Sequence, residues 1–377
     1  MIKICLVLSS LAGGGAERFF LNLAQYLNRS KFEVTLILFN AAGDYQDMIP
    51  KDVKVIDLGI HEERRFYNTL KLIFRLKQAL NQLKPDLIFS TMGYTNLICL
   101  MVRSMTKFKA PVIIHEAGMI RHQLMYESLA SIKKNIYKFF CQFAKVIIFP
   151  AKAVRDDFDQ YIHADSLKYQ VFPTPIDPNY IDHHLSQPFD PKKYNLKMDK
   201  KIIVSMGRLE KIKGLDLGIR AFAQLHKEIS CYYWIIGQGT EEKNLKALAI
   251  DLNILDDIFF LGFQHNPFIF LKNADVYLLP SRSEALPYAL IEAMYCQCPC
   301  VVTPFNDSIG ELITNDIHGL QTANFDVGQL SHALKSLLQN EGIKKMGLIA
   351  KQKAKEYSVE NIIPKYEEVF TSAIKQI

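Results

Sequence analysis

Two glutamates, Glu284 and Glu292, are separated by seven residues in the stretch Ser-Arg-Ser-Glu-Ala-Leu-Pro-Tyr-Ala-Leu-Ile-Glu-Ala-Met at 281–294. An apolar run ending at Leu279 precedes them, and Pro287 opens a segment of good helix formers, so the stretch reads as strand, loop, helix. Glu284 then falls on the loop and Glu292 on the helix. In open α/β sheets, ligands bind outside the carboxyl ends of the strands, where helix N-termini offer free N–H groups and a positive dipole end to phosphate. Carboxylates in such a place need hydroxyl or cationic partners. Sugar and ribose hydroxyls supply them, so the pair suits a nucleotide-sugar better than a bare phosphate. The competing reading is a capped surface helix, because Glu is common in first turns and on solvated faces.

Cations and glycines complete the chemistry. Arg208 and Lys213 follow an apolar run at 202–206, which places them at the same expected sheet edge as Glu284. A guanidinium and an ammonium together can neutralise a leaving nucleoside diphosphate; an ordinary basic loop is the alternative. Gly13, Gly14 and Gly15 follow the first apolar run and precede an amphipathic segment with Phe20, Leu23, Ala24 and Leu27. A dinucleotide fingerprint needs Gly or Ala where Arg18 stands and an acid closing the second strand, where Phe39 and Asn40 stand, so a dehydrogenase is excluded. Gly237 and Gly239 fail in the same way, with Glu242 at the third position. What remains is backbone that can approach a ligand closely.

The elements that must position these residues follow from length and periodicity. A chain of 377 residues predicts two domains of roughly 170 to 190 residues. Hydrophobic residues make up 49% and charged residues 22%, which allows a sizeable core and excludes wholesale disorder. Strands are predicted at 3–8, 33–39, 53–58, 86–90, 112–115, 146–149 and 169–172, then at 202–206, 232–236, 258–261, 276–279 and 300–302, with helix-period segments between most of them. Such alternation predicts two parallel-sheet, doubly wound domains. The proline-rich stretch at 173–178, continued by Pro188 and Pro191, reads as the connection between them. Ile363, Tyr366, Phe370, Ile374 and Ile377 predict a terminal helix.

The seven cysteines follow no disulfide framework or zinc spacing and read as buried reduced thiols, which favours the cytoplasm. The N-terminal apolar run is too short for a signal peptide and flows into the glycine turn. No stretch reaches the roughly 18 apolar residues needed to cross a bilayer.

With these residues in place, the chain resembles glycosyltransferase family 4, a group of retaining glycosyltransferases with the GT-B fold. The glycine turn with Ala16, Glu17 and Arg18 looks like the family's GGxER segment, and Gly207, Arg208 and Lys213 resemble its diphosphate-binding residues. Gly237 and Gly239, followed by Leu261, Gly262 and Phe263, look like its nucleotide-base region, and Glu284 to Glu292 resembles its paired-glutamate motif. The four motifs come in family order and span essentially the whole chain. Two positions depart from the pattern, Ala285 and Gln297, where the family usually has Gly.

The resemblance implies an α/β GT-B architecture, two Rossmann-like doubly wound domains facing across a cleft, with a C-terminal helix returning toward the N-terminal domain. The boundaries expected are 1–175 for the acceptor-side domain, 176–200 for a linker, 201–355 for the nucleotide-sugar domain and 356–377 for the terminal helix. It also implies transfer of a hexose or HexNAc from a nucleoside-diphosphate sugar, with uridine the commonest base, under retention at the anomeric carbon and without a metal or other cofactor. Arg208 and Lys213 would stabilise the departing diphosphate. Glu292 would bind ribose hydroxyls, and Glu284 would hold the donor sugar near its reacting carbon. Gly14, Gly15, Gly207, Gly237, Ala285, Leu286 and Pro287 would line the donor. His115, at the end of a strand, sits where the family often carries a sugar-contacting polar residue, although a lone His after an apolar run also serves as a structural group. A non-catalytic sugar-nucleotide-binding protein, or an epimerase or hydrolase on the same scaffold, is the alternative.

Charge distribution bears on the acceptor. Residues 1–190 carry a net +5 and residues 191–377 a net +1. Within the basic half, 121–145 combines Lys133, Lys134, Lys138 and Lys145 with an apolar stripe of Leu129, Ile132, Ile136, Phe140 and Phe143, and 64–77 is basic too. Basic amphipathic helices lie on anionic membrane surfaces, and a core-packed stripe with a solvated basic face is the competing reading. A peripheral enzyme at the inner face of the membrane, acting on a saccharide or lipid-linked saccharide, is expected. Nucleic acid is not an expected partner, because no recognised module accompanies the modest charge. Asp157 and Asp159 spell a metal-binding pair but lie in a polar helical stretch and read as solvated surface.

Overall fold

A computed structural model describes residues 1–60, 66–106, 110–121 and 130–375, with the backbone alone at 66 and 130. Two compact units result: Met1–Pro175 with Val359–Ile377, and Ile176–Ser358.

The first unit is built on seven strands: β1 (Ile2–Leu8), β2 (Phe32–Leu38), β3 (Lys54–Asp57), β4 (Leu87–Thr91), β5 (Val112–His115), β6 (Ala144–Phe149) and β7 (Tyr169–Val171). They pair in the order β3-β2-β1-β4-β5-β6-β7, each neighbouring pair parallel. Parallel strands need crossovers, and the helices that supply them cover both sheet faces. Strands buried on both sides therefore read as continuous apolar runs, as β1 does over residues 4–8 and β4 over residues 87–89. The order reverses between β1 and β4, whose carboxyl ends lead to the glycine turn and to Met92.

The second unit has six strands: β8 (Lys201–Met206), β9 (Cys231–Ile236), β10 (Ile258–Gly262), β11 (Val276–Leu279), β12 (Cys300–Val302) and β13 (Gly319–Gln321). Their order, β10-β9-β8-β11-β12-β13, reverses between β8 and β11, and these pairs are parallel as well. Twelve of the strands coincide with the apolar runs of the sequence. β13 does not, since three residues beginning with Gly and ending with Gln carry no apolar run. Trp234, Tyr232, Tyr233 and Tyr277 are fully buried here and fill the core with aromatic volume.

Residues 176–200 pack with the second unit. Ile176 donates to the Tyr357 carbonyl, Asp177 caps the helix Pro178–Leu185, and the Phe189 and Tyr194 rings stand 5.5 and 4.9 Å from Phe270. The helix Val359–Lys375 belongs to the first unit. Its Tyr366 ring lies 5.1 Å from Phe19 and its Phe370 ring 5.0 Å from Phe89. The periodicity of Ile363, Tyr366 and Phe370 thus marks a face buried against the first sheet; Ile377 lies outside the described residues.

The two departures from the glycine pattern differ physically. Ala285 does not have a positive φ, so its methyl group carries no backbone strain. Gln297 sits at φ 63°, in the left-handed region that glycine enters freely, with its side chain exposed.

Candidate active site

The loops that follow β8 and β11, neighbours in the sheet, bring Lys213 to the first glutamate. Lys213 closes a short 3-10 turn, Lys211–Lys213, just past the end of β8. Its Nζ donates to both oxygens of Glu284, at 2.7 and 3.0 Å. Ser281 Oγ donates to the same carboxylate at 2.7 Å. The amide of Asn306 donates to the carbonyls of Glu284 (2.6 Å) and Ala285 (3.1 Å), fixing the loop from the side of β12. Arg282 clamps the loop from the other side through a bidentate pair with Asp216, both bonds 2.7 Å long. Close approach of the two segments depends on Gly214: at φ 62° a Cβ there would stand 2.0 Å from the Pro280 carbonyl oxygen.

The Glu284 side chain is 10% exposed and that of Lys213 is 24% exposed, so the pair is largely shielded from solvent, with Lys213 the more accessible partner. Arg208 is placed differently. Its guanidinium is 66% exposed and approaches Glu210 at 4.0 Å, which is a weak, solvent-screened contact. Gly207 leaves the end of β8 and donates to the Ile236 carbonyl, while Gly237 donates to the Gly262 carbonyl, so the ends of β8, β9 and β10 are held together. Pro287 caps the helix Tyr288–Tyr295, and Glu292 lies buried within it. The strand, loop and helix read from the sequence are therefore present, with Glu284 on the loop and Glu292 on the helix. Leu286 is half-buried between them.

The corresponding end of the first sheet holds a buried polar cluster. Gly14 caps the helix Gly15–Tyr26 at the end of β1. The Arg18 guanidinium lies 4.8 Å over the Tyr45 ring. His115 closes β5 and is 1% exposed; its Nδ1 bonds Thr91 Oγ1 at 2.9 Å, and its ring stands 4.9 Å from Phe19. Burial pushes the imidazole down to about 3, so it is neutral at ordinary pH. Among the described residues its Nε2 has no hydrogen-bond partner. The next residue, Glu116, is fully buried; burial pushes its carboxyl up to about 7, against the hydrogen bonds from Tyr137 and Asn96, which lower it.

That shift sets a pH dependence. Folded Glu116 keeps its proton to about pH 7, whereas the unfolded group loses it near 4.5, so the folded state binds more protons in between and stability falls as pH rises through that window. Glu116→Gln does not titrate. Relative to wild type it is expected to be up to about 3 kcal/mol more stable at pH 8 than at pH 5, read as urea midpoints. An equal difference at both pH values would show that Glu116 titrates normally.

One expectation is overturned, and one pair of alternatives is narrowed. Asp157, taken as solvated, is 5% exposed: the helix Lys152–Ile162 turns it inward, where it accepts the Arg121 amide at 3.0 Å. The first half of the stripe at 132–143 is not packed in the core, while Phe140 and Phe143 are half-buried. Ile132 and Ile136 are 54% and 39% exposed because the helix Ala130–Cys141 buries Tyr137 and Cys141 instead, and Phe139 beside them is 58% exposed. On the helix Phe66–Leu83, Tyr67, Leu70 and Phe74 are exposed as well. Leu129 and Arg64 lie outside the described residues.

All seven cysteines are free and buried. Among the described residues no cluster of His, Cys, Asp and Glu is placed to hold a metal ion, and no helix is long and apolar enough to cross a membrane.

Comparison with known proteins covers both units. The model of "Glycosyltransferase Family 4" matches residues 13–180, and that of "Glycosyl transferases group 1" matches residues 186–357. The chain is 28% identical over 350 residues, 92% of each protein, to N-acetylgalactosamine-N,N'-diacetylbacillosaminyl-diphospho-undecaprenol 4-alpha-N-acetylgalactosaminyltransferase of Campylobacter jejuni. It is 26% identical over 370 residues, 96% of each, to a second alpha-1,4-N-acetyl-D-galactosaminyltransferase of that organism, named for a diNAcBac-PP-undecaprenol acceptor. Among solved structures, an Anabaena protein in complex with UDP and glucose superimposes with a TM-score of 0.84 at 18% identity, covering 99% of this chain and 100% of that one. Sucrose-phosphate synthase from Thermosynechococcus elongatus gives the same TM-score at 16% identity, with both chains fully covered.

Proposed function

This chain belongs to glycosyltransferase family 4, and from that premise we propose that it is a retaining enzyme moving a hexose or HexNAc from a uridine diphosphate sugar to a saccharide or lipid-linked saccharide in surface glycan synthesis. The Lys213–Glu284 pair at the β8/β11 reversal carries this reading. A donor entering there exchanges the Lys213 bonds for phosphate oxygens, and Glu284 turns to the sugar hydroxyls. As the anomeric carbon–oxygen bond breaks, negative charge grows on the diphosphate, and the ammonium stabilises it more than it stabilises the intact donor. Arg208 joins it, since its exposed approach to Glu210 is easily given up. Glu292 is assigned to the ribose, with Gly207, Gly237, Ala285, Leu286 and Pro287 along the nucleotide. His115, with Gly14 and Gly15, is assigned to the sugar and acceptor side.

The acceptor class is supported by the names of the Campylobacter relatives, both of which contain a diphospho-undecaprenol-linked saccharide. A peripheral contact with the inner face of an anionic membrane is supported by Ile132, Ile136 and Phe139, exposed beside Lys133 and Lys138. Flotation with phosphatidylglycerol-containing vesicles is expected to carry the protein upward at low salt and to release it at high salt. Absence of salt-sensitive flotation would remove the membrane contact.

Thermal-shift measurement against uridine, guanosine and adenosine diphosphate sugars tests the donor; the uridine series is expected to stabilise the protein and the others not. A guanosine or adenosine preference would overturn the base. Because the cationic side chains are assigned the charge on the leaving group, transfer is expected to proceed unchanged in EDTA. Loss of turnover in EDTA, restored by Mg²⁺ or Mn²⁺, would reassign that charge to a metal.

A further inference from the structure

His115 is the residue at the end of β5, but the side chain that gathers its surroundings is the next one. Glu116 continues the β5–β6 pairing by donating its amide to the Ile148 carbonyl at 2.9 Å. Its Oε1 accepts from the Asn96 amide at 2.8 Å and from the Tyr137 hydroxyl. The same Asn96 amide donates to the His115 carbonyl at 3.0 Å, while its oxygen accepts from Ser90 Oγ at 2.8 Å. Asn96 belongs to the helix Gly93–Ser104, Tyr137 to the helix Ala130–Cys141 and Ser90 to β4. One carboxyl oxygen thus joins two helices to the strand end from which the imidazole projects.

We infer that Glu116, held by Asn96 and Tyr137, is a positioning residue that sets the backbone and ring of His115 for the transfer reaction. This rests on the assignment of His115 to the sugar and acceptor side.

Packing alone does not explain the arrangement. Ser90, Asn96, Glu116 and His115 are each no more than 1% exposed, and apolar residues of similar volume would fill this space without a buried acid to satisfy. The network instead uses both ends of the Asn96 side chain to link β4 with the His115 carbonyl. Thr91 fixes the ring from the same strand end, and the following residue, Met92, holds φ 69° and ψ 133°, a conformation that L side chains rarely adopt. Thr91 on the ring and Asn96 on the carbonyl therefore both converge on His115. Through Tyr137, the helix carrying exposed Ile132, Ile136 and Phe139 is tied to the residue beside it, so a shift of that helix is felt at His115.

The test is a double-mutant cycle on kcat and KM for transfer, with urea midpoints measured in parallel. Glu116→Gln keeps an acceptor for Asn96 and Tyr137 and is expected to stay within about threefold of wild type. Glu116→Ala is expected to lower kcat at least about tenfold with little change in KM. The loss should vanish when His115 is already alanine, because residues acting as one unit are not additive. Should Glu116→Ala not fold, Tyr137→Phe asks the same question with the ring retained. Losses of equal size with and without His115, or unchanged kcat in both Glu116→Ala and Tyr137→Phe, would overturn the inference. Absence of transfer by the wild type with every donor would instead remove the reading beneath it.

Discussion

Lys213→Ala is expected to lower kcat for transfer by about a hundred- to a thousandfold, the range found when one preorganised donor to developing charge is removed. The size follows from position. Lys213 Nζ lies 2.7 Å from a carboxylate only 10% exposed, so its charge acts in a partly desolvated place where Coulombic effects are strong. The substitution also leaves the Glu284 carboxylate with Ser281 as its remaining described donor, which is expected to cost about 1–3 kcal/mol of stability. Rates at saturating donor and urea midpoints separate the two effects. Arginine at 213 is not a conservative rescue, because a planar fork cannot occupy the point-like site the ammonium fills. Turnover within about threefold of wild type in Lys213→Ala would show that the charge on the leaving group is met elsewhere.

Gly237→Ala is expected to destabilise the protein by more than about 4 kcal/mol or to prevent folding, in the range reserved for named structural failures. Gly237 has φ 131°, and a Cβ there would stand 2.0 Å from the Gly207 carbonyl oxygen and 2.9 Å from its carbon. Both are backbone atoms, so no side chain can swing aside. The ends of β8 and β9 would have to part, breaking the bonds from Gly207 to Ile236 and from Gly237 to Gly262. Gly310→Ala is the matched control: nothing lies within 4 Å of its added carbon, and the change should stay within about 0.5 kcal/mol. Comparable midpoints for the two variants would contradict the close approach of β8 and β9.

The parallel sheets were legible because interior strands are apolar along most of their length, and twelve apolar runs became strands, the exposed edge strand β3 among them. β13 has no such run, and only its pairing with β12 makes it a strand. Glu284, Glu292 and Lys213 were legible as candidates because a strand end, a turn and a helix start together suit an anion site. Ser281 and Asn306 were not: each is a single polar loop residue, and Asn306 reaches Glu284 only because β12 lies beside β11. Arg208 and Lys213 follow the same strand, and of the two only Lys213 meets Glu284, while Arg208 extends into solvent. Glu116 carries no local sequence signal, because its neighbours Asn96 and Tyr137 come from 20 and 21 residues away and are brought to it by β5 and two helices. Helical periodicity found the stripe at 132–143 but could not tell which side faced the core; burial of Tyr137 and Cys141 decides that.

The proposed reaction is tested most directly by the anomeric configuration of its product. The wild-type protein is incubated with a uridine diphosphate α-N-acetylhexosamine and an undecaprenyl-diphosphate-linked saccharide, and the anomeric proton of the new glycoside is followed by NMR. An α-linked product, formed in step with release of uridine diphosphate, is the expected result. A β-linked product, or no nucleotide release with any sugar donor, would contradict retention and transfer at the Lys213–Glu284 site.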